Sequence, residues 1–260
     1  MARPAAAHVF VDDLERCVLS EDDAHHLFSS LRLRPGEAVS VSDGKGRWRL
    51  CRVGGRRGAD ELETDGPITE VPRPAPPLTV GFALTKGGRP DQVVQRLTEL
   101  GVDQLVPLAT ARSVVRWSPA DAGRHVERLR RVARAAAMQS RLAHLPEVSP
   151  LVDLRQVSDL WPPDQLALAH PGGRPISLEQ RVVLVGPEGG WEPAELETGL
   201  ATVDLGPTRL RADTAAIAVG VLLTALRGGA VRPIDGDRSA LDGRGGAEAG
   251  GPPGPGVASR

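Results

Sequence analysis

Val182-Val183-Leu184-Val185-Gly186-Pro187-Glu188-Gly189-Gly190 carries four apolar residues straight into a glycine-rich turn. A continuous apolar run bounded by Gly and Pro reads as a strand buried on both faces. A helix is predicted next, with Pro193 near its start and Glu195 and Glu197 in its first turns. The same alternation recurs on either side. Leu78 to Leu84 is an apolar strand. Pro90 opens a helix in which Val93, Val94, Leu97 and Leu100 recur at helical spacing, and Gly101 ends it. Leu105, Val106 and Leu108 make the next strand. A long helix from about Asp121 to Met138 follows, with Val126, Leu129, Ala133 and Ala136 as its apolar stripe. Gln165 to Ala169 and Val203 to Leu205 are further strands. The last helix, Ala215, Ala216, Ile217, Ala218, Val219, Val221, Leu222 and Leu223, has no polar face. It is expected to be buried on all sides, in a core or a subunit interface. Strands alternating with helices imply an α/β domain whose parallel sheet is covered on both faces and binds ligands at the carboxyl ends of its strands.

Before this region the pattern changes. Pro72-Arg73-Pro74-Ala75-Pro76-Pro77 is a stiff connector, so residues 1–72 are expected to form a separate domain and 78–231 the α/β domain. The first domain reads mostly β. His8 to Val11 is a short strand, and Ser20 is a plausible N-cap for a short helix with Glu21, Asp22 and Asp23 in its first turn. Glu37 to Asp43 alternates polar and apolar residues, Asp43-Gly44 and Lys45-Gly46 give a strong hairpin signal, and Arg47 to Val53 returns. A small β-barrel or half-barrel fits. From residue 232 on, 12 of 29 residues are Gly or Pro with almost no apolar content, so that tail is expected to be disordered.

Composition narrows the function classes. The chain has 260 residues and a net charge of −1. Its two cysteines, Cys17 and Cys51, form no CxxC, which argues against a disulfide scaffold or a Cys-rich zinc site and suits a cytoplasmic protein. Neither a signal peptide nor a membrane span is expected. His25-His26 lacks a third ligand at metal spacing, so no metal is expected. Residues 79–150 hold 11 basic and 6 acidic residues, whereas 151–231 hold 6 and 10. The middle segment, rich in Arg at 124, 128, 130, 131 and 134, meets a polyanion or is a solvated helix face. Trp117, beside Arg112 and Arg116, stacks on a base or packs in the core.

Three strand ends carry the candidate chemistry: Leu168-Ala169-His170-Pro171, the turn Gly186 to Gly190, and Leu205-Gly206-Pro207 running on to Leu210-Arg211-Ala212-Asp213-Thr214-Ala215. The Gly-rich turn is neither a P-loop nor a dinucleotide fingerprint. Glu188 and Glu192 oppose phosphate, so a neutral or cationic ligand fits better, and a plain tight turn also fits. Asp213 reads equally as an N-cap and as a functional group. His170 is a weak general-base candidate.

In order, these motifs are Leu84-Thr85-Lys86-Gly87 with Arg89, Leu97 to Val102, Gln139-Ser140-Arg141 with Pro146-Glu147-Val148, His170-Pro171, Val185 to Gly190, and Leu205 to Ala215. Together they resemble the RsmE family, the 16S rRNA (uracil-N3)-methyltransferases of the SPOUT superfamily, from about residue 4 to 231. The resemblance implies a PUA-like β-barrel followed by a trefoil-knotted α/β methyltransferase domain. It implies S-adenosylmethionine as cofactor, a homodimer, and the 16S rRNA of the small ribosomal subunit as partner. It places the cofactor against Leu168, Ala169, His170, Gly186, Pro187, Glu188, Gly189, Gly190, Leu205, Gly206, Leu210, Thr214 and Ala215. Lys86, Arg89, Arg112, Arg134 and Arg141 would meet rRNA, and Arg211 and Asp213 would act on the target base. The sequence differs from the commoner family pattern at Thr85, Gly88, Met138, Ala212 and Asp213. Two rival readings are a non-catalytic RNA-binding protein and a knotted methyltransferase acting on another atom, such as a ribose 2′-oxygen.

Overall fold

The computed structural model describes residues 5–54, 61–86 and 89–232. The tail from 233 on, and Gly87 and Gly88 of the motif above, lie outside the described residues.

The N-terminal region is a five-stranded sheet with a short helix. It consists of β1 (Ala7–Phe10), α1 (Glu21–His25), β2 (Ala38–Ser42), β3 (Arg47–Arg52), β4 (Glu63–Thr64) and β5 (Thr69–Glu70). β1 runs parallel to β2, β2 and β3 form the expected antiparallel hairpin, and β3 also pairs with both β4 and β5. Ser20 caps α1, its side chain accepting a hydrogen bond from the Asp23 amide. Val9, Leu27, Val39, Val41, Cys51 and Leu62 sit in one core. Cys17 and Cys51 are both free and buried there.

After the proline connector come β6 (Thr79–Ala83), α2 (Arg89–Glu99), β7 (Gln104–Ala109) and α3 (Pro119–Gln139). The short strands β8 (Glu147–Val148) and β9 (Val152–Asp153), α4 (Val157–Leu160), β10 (Leu166–Pro175), β11 (Val182–Val185), α5 (Pro193–Leu196), β12 (Ala201–Asp204) and α6 (Ala212–Arg227) complete the chain. The strands form one seven-stranded sheet in the order β12-β10-β11-β6-β7-β8, with β9 also on β7. Every pairing in it is parallel. One face packs Leu78, Val80, Phe82, Val183 and Val185 against apolar residues of α2, α3 and α6. The other packs Val106, Leu108, Leu166, Leu168 and Leu184 with Leu154, Val157 and Trp191. The continuous apolar runs seen in the sequence are the consequence of this double burial.

Two expectations are corrected. β10 does not end in a turn at His170-Pro171. It bulges and pairs again with β12 through Arg174 and Pro175, which Gly173 permits, since a Cβ there would lie 2.6 Å from the Thr202 carbonyl carbon. The N-cap of α6 is Arg211, not Asp213, which lies in the first turn and accepts from the Thr214 amide at 2.9 Å. Within one copy of the chain, α6 is buried on one side. Ala216, Val219 and Leu223 face the core, while Thr214 and Val221 face solvent.

The two regions meet along a polar seam. The segment after α3 lies along the β2–β3 hairpin, with Gly46 N donating to Ala143 O at 3.0 Å and Leu145 N to Gly44 O at 2.9 Å. A Cβ on Gly46 would lie 2.4 Å from a His144 ring carbon. The hairpin glycines thus serve this close approach as well as the turn.

Candidate active site

The carboxyl ends of β10, β11 and β12 lie side by side, because β10 pairs with both of the others. A cleft of about 420 Å³ opens over them. Ala169, His170 and Pro171 line it from β10, Val185 to Trp191 from the turn after β11, and Asp204, Leu205, Gly206, Thr208, Arg209 and Leu210 from the segment after β12. Ala212 and Ala215 of α6 and the side chain of Arg112 close it. Volume does not single this cleft out. A groove of about 640 Å³ lies along the seam between the two regions, lined by His8, Trp48, Arg141 and His144 among others. What distinguishes the cleft is its place at adjoining strand ends, where backbone groups point outward and parallel sheets bind ligands.

Local chemistry shapes the walls. Gly190 has φ +69° and Gly206 φ +124°, values that favour glycine, and a Cβ on either would point into open space. Gly186 is tight instead, since a Cβ there would lie 2.9 Å from the Trp191 indole. That indole is buried and donates from Nε1 to Ala169 O at 3.0 Å. It therefore joins the β10 end to the Gly-rich turn. Arg112 Nη1 donates to Gly189 O at 3.0 Å, and Glu195 accepts from the Ala111 and Glu192 amides at 2.9 and 2.7 Å. These contacts tie the turn to the loop after β7.

Chain similarity to known proteins matches this geometry. The family model for the RNA methyltransferase domain matches residues 72–224, and that for the RNA methyltransferase PUA domain matches residues 19–61. "Ribosomal RNA small subunit methyltransferase E" of Mycobacterium bovis is 35% identical over 229 residues, covering 79% of this chain and 86% of its own length.

This chain belongs to the ribosomal RNA small subunit methyltransferase E family.

The namesake protein of Synechocystis is 33% identical over 215 residues, covering 76% of this chain and 69% of its own. The crystal structure of the Neisseria gonorrhoeae protein, bound to S-adenosyl methionine, is similar with a TM-score of 0.72 at 25% identity. That match covers 85% of this chain and 97% of the other. The fold is that of the SPOUT methyltransferases, with a PUA-like domain before a parallel-sheet core.

The sequence-expected residues divide in this frame. Ala169, His170, Gly186 to Gly190, Leu205, Gly206, Leu210 and Ala215 line the cleft. Leu168 does not: its side chain is fully buried in the sheet core with Leu166 and Leu184. Thr214 is exposed outside the cleft. Arg211 is exposed between the lining residues Leu210 and Ala212, with no side-chain partner among the described residues. Lys86 is likewise exposed. Arg89 reaches Glu188 at 3.0 Å and Asp213 at 3.9 Å.

Arg134 and Arg141 both find partners within the fold. Arg134 forks onto the buried Asp23 at 2.7 and 2.9 Å, donates to Phe10 O at 3.0 Å and lies over the Phe10 ring. Arg141 Nη2 donates to Ala5 O at 2.6 Å. Both tie the N-terminal region to the sheet domain, and Arg134, paired with a buried carboxylate, is not a free cation awaiting phosphate. Elsewhere on α3, Arg124 pairs with Asp121, Arg128 with Asp91 and Arg130 with Glu127. Two of these acids, Asp121 and Glu127, lie on α3 itself, and Asp91 and Asp23 come to it from other elements. Trp117 stacks on His125 with ring centroids 4.7 Å apart.

Sequence reasoning passed over Trp191, Asp204, Thr208 and Arg209. The available signal was position, since each directly adjoins a quoted motif or lies inside one. Among the described residues no group of His, Cys, Asp or Glu is arranged to hold a metal ion, and no helix is long and apolar enough to cross a membrane.

Proposed function

We propose that the chain methylates N3 of a uridine in 16S rRNA, with S-adenosylmethionine held in the cleft over β10, β11 and β12. The enzyme class follows from family membership: the chain is an S-adenosylmethionine-dependent rRNA methyltransferase. The cleft is the observation that carries the reading. Its volume suits a nucleoside-sized ligand, its open glycines leave room against the backbone, and Glu188 gives the wall a carboxylate for a cationic ligand.

When bound, the cofactor supplies a methyl group already activated on a sulfonium. The chain's own residues supply the rest. N3 of uracil carries a proton and is a poor nucleophile until that proton leaves. Asp213 is the proposed acceptor. Negative charge then spreads onto the uracil carbonyl oxygens, and the exposed, unpartnered Arg211 at the adjoining N-cap is the proposed stabiliser. Lys86, Arg112, Arg141 and Arg211 form the proposed RNA-facing cations.

The same reading includes a division into a barrel of residues 1–72 and a methyltransferase domain of residues 78–231, and a cytoplasmic location. It includes a trefoil knot, in favour of which α6, leaving the edge strand β12, returns to pack on β6 and β11 in mid-sheet. It also includes a homodimer. Val221 is 44% exposed and Leu210 38%, and partly buried Ile217, Ala218 and Leu222 extend this apolar face. A second copy would bury it.

The test is to incubate undermethylated small-subunit particles with the protein and methyl-labelled S-adenosylmethionine, digest the rRNA and identify the labelled nucleoside by mass. N3-methyluridine is expected. A 2′-O-methylated nucleoside would overturn the target atom, and no labelled nucleoside would overturn catalysis on this substrate.

A further inference from the structure

We propose that Arg89 is a positioning residue for methyl transfer, rather than the phosphate contact its sequence context suggests. This rests on the proposed cleft. Arg89 begins α2, a helix fixed by the buried Val93, Val94 and Leu97. Its guanidinium Nη1 donates to Glu188 Oε1 at 3.0 Å, and its Nε lies 3.9 Å from Asp213 Oδ2. Glu188 belongs to the turn after β11, and Asp213 to the first turn of α6. One cation on a rigid helix therefore links the wall of the cleft to the proposed proton acceptor. Arg suits this task because its donors fan out in a fixed plane and can serve two carboxylates in different directions.

The three side chains are partly exposed, with Arg89 at 37%. Ion pairs at that exposure contribute little to stability. The consequence of the cluster is therefore geometric. It sets the distance between the cleft-lining Glu188 carboxylate and the proposed proton acceptor Asp213, and reacting groups tolerate little misplacement. A guanidinium engaged by two carboxylates is also poorly available to RNA phosphate.

The experiment compares wild type, Arg89→Gln and Arg89→Lys in three measurements: S-adenosylmethionine affinity by calorimetry, RNA affinity across a salt series, and single-turnover rate with both substrates saturating. Arg89→Gln is expected to melt within about 2 °C of wild type. Its saturated rate is expected to fall about tenfold or more, with the salt slope of RNA binding unchanged. Arg89→Lys, which keeps the cation, is expected to recover part of the rate. Two results would overturn the proposal. One is a salt slope shallower by roughly one phosphate contact, about 0.7–0.9, with the saturated rate unchanged. The other is wild-type behaviour in all three measurements. If wild type itself fails to bind S-adenosylmethionine, the cleft assignment fails instead, which the calorimetry reads directly.

Discussion

The seam between the N-terminal region and the sheet domain and the cleft at the opposite strand ends use the same residue types to different ends. At the seam, Arg134 forks onto the buried Asp23, and His8 is buried between Ser40 and the Leu142 carbonyl, 2.9 and 3.1 Å from its ring nitrogens. Arg211, beside the cleft, and Lys86, in the segment after β6, are exposed without side-chain partners among the described residues, and Arg89 sits in a half-exposed cluster that includes the cleft-lining Glu188. Satisfied polar groups fix one arrangement, whereas unsatisfied ones at an open cleft are available to a ligand. Arginine content along the sequence does not tell these cases apart. Five of the 11 basic residues over 79–150 lie on α3, and four of those five pair with acids.

The sharpest way to break this contrast is to remove a charge from each side. Arg211→Ala is expected to lower the saturated methylation rate by roughly 10²–10³-fold, with S-adenosylmethionine affinity and thermal stability near wild type. Equal losses in rate and affinity would make Arg211 a binding residue. Asp23→Ala leaves the Arg134 guanidinium without its fork. It is expected to cost about 2–3 kcal/mol of stability in denaturant unfolding while leaving cofactor affinity unchanged. A cofactor-binding defect in a folded Asp23→Ala protein would show that the seam and the cleft are coupled.

A smaller effect concerns pH. Burial is the main cause holding His8 neutral, with its pKa lowered to about 4. Arg141 and Arg134 add to this, and the hydrogen bond to the Leu142 carbonyl opposes it. The folded value lies below the ordinary 6.5, so protonation favours the unfolded chain. The stability contribution is complete above about pH 6.5 and is lost as pH falls toward 4. Comparing wild type with His8→Gln by unfolding at pH 7 and pH 5 should give a loss on acidification smaller by roughly 1–2 kcal/mol in the variant. Identical pH dependence would remove His8 from the seam's energetics.

Legibility in the sequence follows the same division. The strand-turn at Val182–Gly190, the α2 stripe ending at Gly101 and the Asp43-Gly44 hairpin were readable because local periodicity and turn chemistry settle them. Two-residue strands such as β8 and β9 carry no period to read. The continuation of β10 past His170-Pro171 depends on Gly173 meeting the β12 backbone, a contact between residues about 30 positions apart. The N-cap of α6 misled for a related reason. Asp213 has the side chain of a cap, yet the backbone leaves the extended region at Arg211. The partners of Arg134 and Arg141 lie more than 100 positions away in sequence, so no local pattern distinguishes them from surface cations.

The most direct test of the central claim, that the cleft and not the seam holds the cofactor, is calorimetric titration of S-adenosylmethionine into wild type and Gly186→Val. Gly186 has no room for a side chain against the Trp191 indole, which is itself held by Ala169 O. Wild type is expected to bind at micromolar concentration, and the folded variant to bind about 10²-fold more weakly or not at all. Equal binding by a folded Gly186→Val protein would place the cofactor elsewhere and contradict the account.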